Sequence, residues 1–145
     1  ITDWDLEQNK IEEEDKRKMQ EFKKKKKENE LVDKILTRGI LPILVLNIIS
    51  KEPSNGNEIS TKISGITQGA WQPSTGGIYP ILKKFEKQGY VKGKWDDPVK
   101  RIKRIYTITE TGRGELQGQK GALVSNLNKT LEVFDDILKS FDEQM

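Results

Sequence analysis

Neither histidine nor cysteine occurs anywhere in the 145 residues. Without cysteine there is no disulfide and no thiolate zinc site, and a reducing compartment fits. With both absent, the usual nucleophiles, acid–base pairs and metal ligands are nearly closed. The chain is therefore not expected to be an enzyme or to carry a metal or other cofactor. Carboxylate pairs remain, but Asp96-Asp97 and Asp135-Asp136 read as solvated surface. Long apolar runs are lacking too. The longest, Ile40 to Ile49, is about half the ~20 residues a bilayer requires, and Pro42 and Asn47 interrupt it. No signal peptide is visible. The expectation is a cytoplasmic protein with no membrane partner.

What is present is charge, in blocks. Hydrophobic residues make up 33% of the chain and charged ones 34%, so a core requires the apolar residues to be concentrated. Residues 31–110 hold most of them. Those residues also carry 13 basic and 7 acidic groups, against 9 and 10 in residues 1–30 and 4 and 6 in residues 111–145. The compact middle is the cationic part, as a phosphate-facing module requires. Three regions follow: a charged N-terminal helix (1–30), a central domain (31–110) and a C-terminal helix (111–145).

Residues 3–30 contain no glycine or proline and many Glu and Lys, which predicts one polar helix. Trp4, Ile11 and Phe22 fall near heptad spacing, a stripe too thin for a core but able to dock on a larger surface. The run Lys23 to Lys27 is offset by Glu12 to Asp15 and Glu28, so it reads as a solvated face. A second helix is expected over Asp33 to Lys51, with Pro42 either kinking it or marking its true start. Asn57 should cap a short helix running through Ser64 and stopped by Gly65. Ser74 should cap the next helix, which ends at Gly89. Residues 90–95 and 102–108 alternate as strands around a turn, giving a hairpin with a basic, mobile tip. Thr109 opens a final helix continuing toward Met145. Its seam of Leu116, Leu123, Leu127, Phe134, Ile137, Leu138 and Phe141 predicts a homodimer interface, on which Trp4, Ile11 and Phe22 would also pack.

The fold class is mostly α with a small β-hairpin, in the order of a winged helix-turn-helix with long N- and C-terminal helices. The helix after Ser74 is two-faced. Ile78, Leu82 and Phe85 point inward, while Thr75, Tyr79 and Lys83 project where a recognition helix meets DNA. The amides of Gly76 and Gly77 are bare enough to receive a backbone phosphate. With Ser74 and Lys84, and with Lys100, Arg101, Lys103 and Arg104 on the hairpin, these residues form the expected contact set for double-stranded DNA.

At these positions the chain resembles the PadR-like transcriptional regulators. The stretch from Ser74-Thr75-Gly76-Gly77-Ile78-Tyr79-Pro80 to Gly89-Tyr90-Val91 is similar to that family's recognition-helix signature. Arg104-Ile105-Tyr106-Thr107-Ile108-Thr109-Glu110-Thr111-Gly112 is similar to its strand-to-helix junction. The resemblance spans about residues 36–115. It implies a cytoplasmic bacterial repressor, dimerised by its C-terminal helix, that leaves its operator when a small molecule or stress signal arrives; the two-fold symmetry of such a dimer makes an inverted-repeat operator the expectation. A small aromatic effector would then enter between the long helices and the heads, with Trp4, Trp71 and Trp95 as stacking surfaces. Two departures stand out. Asn55 and Asn57 occupy a turn where the family often has tyrosines, and the N-terminal helix lies outside the resemblance. The alternatives are a protein-interaction or oligomerising adaptor on the same fold, or a plasmid or replication protein that binds DNA.

Overall fold

The computed structural model describes residues 2–142; of the side chains at positions 22 and 25–29 nothing is described. Along the chain come α1 (Asp3–Gly39), α2 (Leu41–Lys51), α3 (Gly56–Ile66), α4 (Thr75–Lys87), β1 (Val91–Trp95), β2 (Arg104–Ile108) and α5 (Glu110–Ser140). This is a winged helix-turn-helix flanked by two long helices.

α1 opens with a reciprocal cap. The Thr2 hydroxyl accepts the Asp5 amide at 3.2 Å, and the Asp5 carboxylate accepts the Thr2 amide at 3.1 Å. The Thr2 amide, with the Thr2 hydroxyl also donating to the same oxygen, holds the Asp5 carboxyl below its ordinary range. The helix continues past residue 30 to Gly39, because Val32 and Leu36 pack against the core and give it a docked end. The break falls at Ile40, not between residues 30 and 33. Pro42 has no N–H for the Arg38 carbonyl, so the ladder cannot run on, and Pro42 sits in the first turn of α2. The stretch read as a single helix from Asp33 to Lys51 is therefore two.

The core forms where α2, α3 and α4 meet the hairpin. Leu41, Val45 and Ile49 of α2, Ile59 and Ile63 of α3, and Ile78 and Leu82 of α4 are all buried, with Val91, Tyr106 and Ile108 closing one side. Each such aliphatic side chain contributes about 1.5–3 kcal/mol by leaving water. β1 and β2 pair antiparallel in the register Val91↔Ile108, Gly93↔Tyr106 and Trp95↔Arg104. Ser54 adds a one-residue third strand through bonds of 3.1 and 2.9 Å with Tyr106.

Asn55, not Asn57, caps α3: its side-chain oxygen accepts the Glu58 amide at 2.8 Å. Gly65 stays inside the helix, and the turn comes after it at Gln68 and Gly69, both with positive φ. From that turn Trp71 plunges into the core, 3% exposed, and its indole N–H donates to Asp33 of α1 at 3.1 Å. Trp71 is thus a packing residue that ties the α3–α4 loop to α1, and it offers no surface on which a ligand could stack.

The Thr109 hydroxyl accepts the Gly112 amide at 3.0 Å and starts α5. Gly112 is required by space: a Cβ there would lie 2.1 Å from the Tyr90 carbonyl oxygen. One turn on, Leu116 is buried in the chain's own core and so leaves the expected dimer seam, while Leu123 packs partly against that core. Beyond it, Phe134, Ile137, Leu138 and Phe141 stand 40–80% exposed. Trp4 and Ile11 of α1 are exposed as well, so within one chain they do not pack on α5 as expected. Phe22 belongs to the side chains outside the described set, and Met145 lies beyond the described residues.

Candidate nucleic-acid interface

α4 begins at Ser74, whose hydroxyl accepts the Gly77 amide at 3.3 Å. The Gly77 amide is thereby taken, a change from the sequence reading, and Thr75 and Gly76 supply the outward amides of the first turn. Nothing inside the chain demands glycine at 76 or 77. A Cβ would meet only the Ser74 hydroxyl, at 3.8 and 3.7 Å respectively. Two glycines at the start of a helix cost it stability, so their bareness is unexplained by the chain's own packing.

The two faces of α4 separate as the periodicity predicts. Ile78, Leu82 and Phe85 are buried, whereas Tyr79 and Lys83 are exposed and Thr75 is half-buried. Tyr79 leans toward α3, with its ring over Gly56, where a Cβ would meet it at 3.0 Å. That contact explains the glycine in the turn: it makes room for the ring. Lys84 lies elsewhere, lining a cleft with Ile43, Leu46 and Glu115 between α2 and α5. It belongs to a different side of α4 from Tyr79 and Lys83.

The hairpin tip is tied together by its own hydrogen bonds. The Asp96 carboxylate accepts the amides of Asp97 and Lys103 at 2.7 and 3.3 Å. That of Asp97 accepts those of Val99 and Lys100 at 2.9 and 3.2 Å. Arg101 adopts φ 50° to complete the turn, its amide bonded to the Asp97 carbonyl at 2.9 Å. These acids, read from sequence as solvated, act as the frame that displays Lys100, Arg101 and Lys103, with Val99 and Ile102 also projecting.

Arg104 departs from the expected contact set. It is half-buried, paired with Glu86 of α4, and lies 5.4 Å from the centre of the Trp95 ring and 5.8 Å from that of Tyr106. The Glu86 hydrogen bond raises the guanidinium pKa further, and burial pushes the Tyr106 phenol up. Trp95 is thereby engaged with Arg104. Glu86, Asp96, Asp97 and Gly93 are the residues that sequence reasoning missed. The acids looked like ordinary surface, and their bonds are to backbone or to strands distant in sequence.

Among the described residues no group of acids could hold a metal, and no helix is long and apolar enough to cross a membrane.

The model of the transcriptional regulator PadR-like family matches residues 45–118. Transcriptional regulator YqjI of Escherichia coli K12 is 38% identical over 53 residues, which are 37% of this chain and 26% of that protein; the chain thus spans about a quarter of that relative's length. The fold is similar to that of a PadR-like transcriptional regulator from Bacillus cereus strain ATCC 14579, with a TM-score of 0.53 and 30% identity over 66% of this chain and 95% of that one. A PadR family transcriptional regulator from Eggerthella lenta gives 0.55 and 25%, covering 71% and 94%. The family match covers the segment from α2 into α5 that carries the core, the two-faced helix and the wing. The chain belongs to the PadR-like family of transcriptional regulators.

Proposed function

We propose that the protein is a homodimeric repressor whose α4 and wing bind an inverted-repeat DNA operator. One observation carries the reading. The solvent face of α4 combines the bare Gly76–Gly77 turn with Thr75, Tyr79 and Lys83, and the chain's own packing does not account for it. A phosphate approaching Ser74, Thr75 and Gly76 meets amides and the positive end of the helix dipole. Tyr79 and Lys83 then reach base edges and flanking phosphates. Lys100, Arg101 and Lys103, displayed by the tied wing tip, supply a second phosphate contact.

The dimer is proposed to close through Leu127, Phe134, Ile137, Leu138 and Phe141 of α5. A two-fold dimer places two α4 helices on half-sites about 10 or 20 base pairs apart, centre to centre. Release by a small molecule or stress signal in the cytoplasm is part of the same proposal, and membership of a family of transcriptional regulators supports it. Trp4 is the tryptophan left exposed for an aromatic effector.

The test is fluorescence anisotropy with the DNA upstream of the protein's own gene, repeated across a salt series. Wild type should prefer that DNA to a mixed-sequence duplex. Tyr79→Ala should lose the preference with its fold intact. Arg101→Ala should weaken binding to both duplexes and flatten the salt slope by about one counterion. Wild-type protein that binds neither duplex would overturn the reading in favour of an interaction adaptor.

A further inference from the structure

We infer that Glu86 and Arg104 form a clasp that fixes the wing against α4, making both of them positioning residues for DNA recognition. The inference rests on the DNA-binding reading above.

Glu86 lies near the end of α4 and reaches both strands of the hairpin. Its Oε1 accepts the Gly93 amide of β1 at 3.1 Å and also the Arg104 guanidinium of β2. One carboxylate oxygen therefore gathers three elements. Gly93 is the slot that admits it. A Cβ at position 93 would sit 2.5 Å from Arg104 Nε and 2.8 Å from Glu86 Oε1, so any other residue there would force the pair to shift.

The guanidinium is held on its other sides by rings from both strands, Trp95 and Tyr106. A planar cation suits that position because it can lie near two rings while bonding to a carboxylate in its own plane. In the register, Arg104 pairs with Trp95 and Gly93 with Tyr106, two rungs apart with Lys94 and Ile105 between them, so the clasp spans alternate rungs on one face just below the tip. The hairpin is short and two-stranded, and such a ribbon is marginal when left to itself. Its direction must be set by what grips its base. Besides the Ser54 bridge and the core contacts of Val91 and Ile108, the Glu86 clasp is the grip nearest the tip.

The consequence concerns residues that never touch one another. Lys100 and Arg101 meet phosphate only if the hairpin holds its angle to the α4 helix that carries Tyr79. Breaking the clasp should remove the wing's contribution even though every wing cation remains.

The experiment is a mutant cycle between the clasp and the tip, read by anisotropy and salt slope on the DNA upstream of the protein's own gene. In wild type, Arg101→Ala should flatten the salt slope by about one unit. In a Glu86→Ala background the same substitution should change the slope by about zero, and an Arg104→Ala background should behave alike. Arg104→Lys, which keeps the charge but not the planar fork, should leave the wing only partly engaged. Ile63→Val, a core substitution away from the hairpin, supplies a destabilised control that should keep full sensitivity to Arg101→Ala. Equal losses from Arg101→Ala with and without Glu86 would overturn the clasp. So would loss of sensitivity in the Ile63→Val control, because general loosening would then explain the result. Wild-type protein that binds no DNA would instead overturn the repressor reading, a separately visible outcome.

Discussion

The head and the two long helices use the same amphipathic periodicity and end in opposite states. In the head, Ile59, Ile63, Ile78 and Leu82 disappear entirely into a shared core. On the arms, Trp4, Ile11, Met19, Leu131, Phe134, Leu138 and Phe141 stand in water at exposures of 40–80%. A helical apolar stripe states that a face is to be covered. Whether the same chain covers it depends on what the connections bring opposite. Turns of a few residues fold α2, α3 and α4 onto one another, whereas the first part of α1 and the last part of α5 run beyond their reach.

The largest expected effect sharpens that contrast. Ile78→Ala opens a void in a fully enclosed site and should lower unfolding free energy by about 2–5 kcal/mol in urea titration. Phe134→Ala with Phe141→Ala should leave the urea midpoint of the head nearly unchanged while weakening self-association in sedimentation. A head destabilised equally by both would break the comparison.

Next comes a pair of glycines on one helix. Gly112→Ala would drive a methyl into the Tyr90 backbone and should cost about 1–3 kcal/mol, measured by thermal unfolding. Gly118→Ala, six residues along in open space, should instead stabilise the helix by about 0.5–1 kcal/mol. A stabilising Gly112→Ala would mean that α5 does not seat against the hairpin as described. Tyr79→Ala should shift the melting temperature least, since its ring loses mainly the Gly56 contact. Its effect should appear in DNA affinity.

The head was legible in sequence because its signals are local. The Ser74 cap, the Ile78–Leu82–Phe85 stripe, the strand alternation and the Thr109 start each sit within a few residues of what they specify. The misreadings share the opposite character. Trp71 finds Asp33 across 38 residues of sequence, and Arg104 finds Glu86 across 18. Neither pairing leaves a periodic trace, so Trp71 looked like a ligand platform and Arg104 like a free wing cation. The α1–α2 boundary was blurred because helix propensity is high on both sides of Gly39, and only Pro42 marks the break. Asn55 was passed over for Asn57 because both are good N-cap residues, and only the bond that Asn55 accepts from the Glu58 amide tells them apart.

The contact at Gly112 also bears on how such a protein can diverge. There α5 passes directly against the Tyr90 carbonyl just before β1, with the Ile108 side chain beside it. The direction in which α5 leaves the head is therefore set by peptide geometry that survives most substitutions. In a dimer closed through α5, that direction fixes the distance between the two recognition helices. Thr75, Tyr79 and Lys83 are free to change without disturbing it. If α4 reads the operator as proposed, mutation can rewrite which bases are read while the spacing between half-sites is inherited unaltered. Descendants of one ancestor would then drift apart in operator sequence long before they drift in operator length.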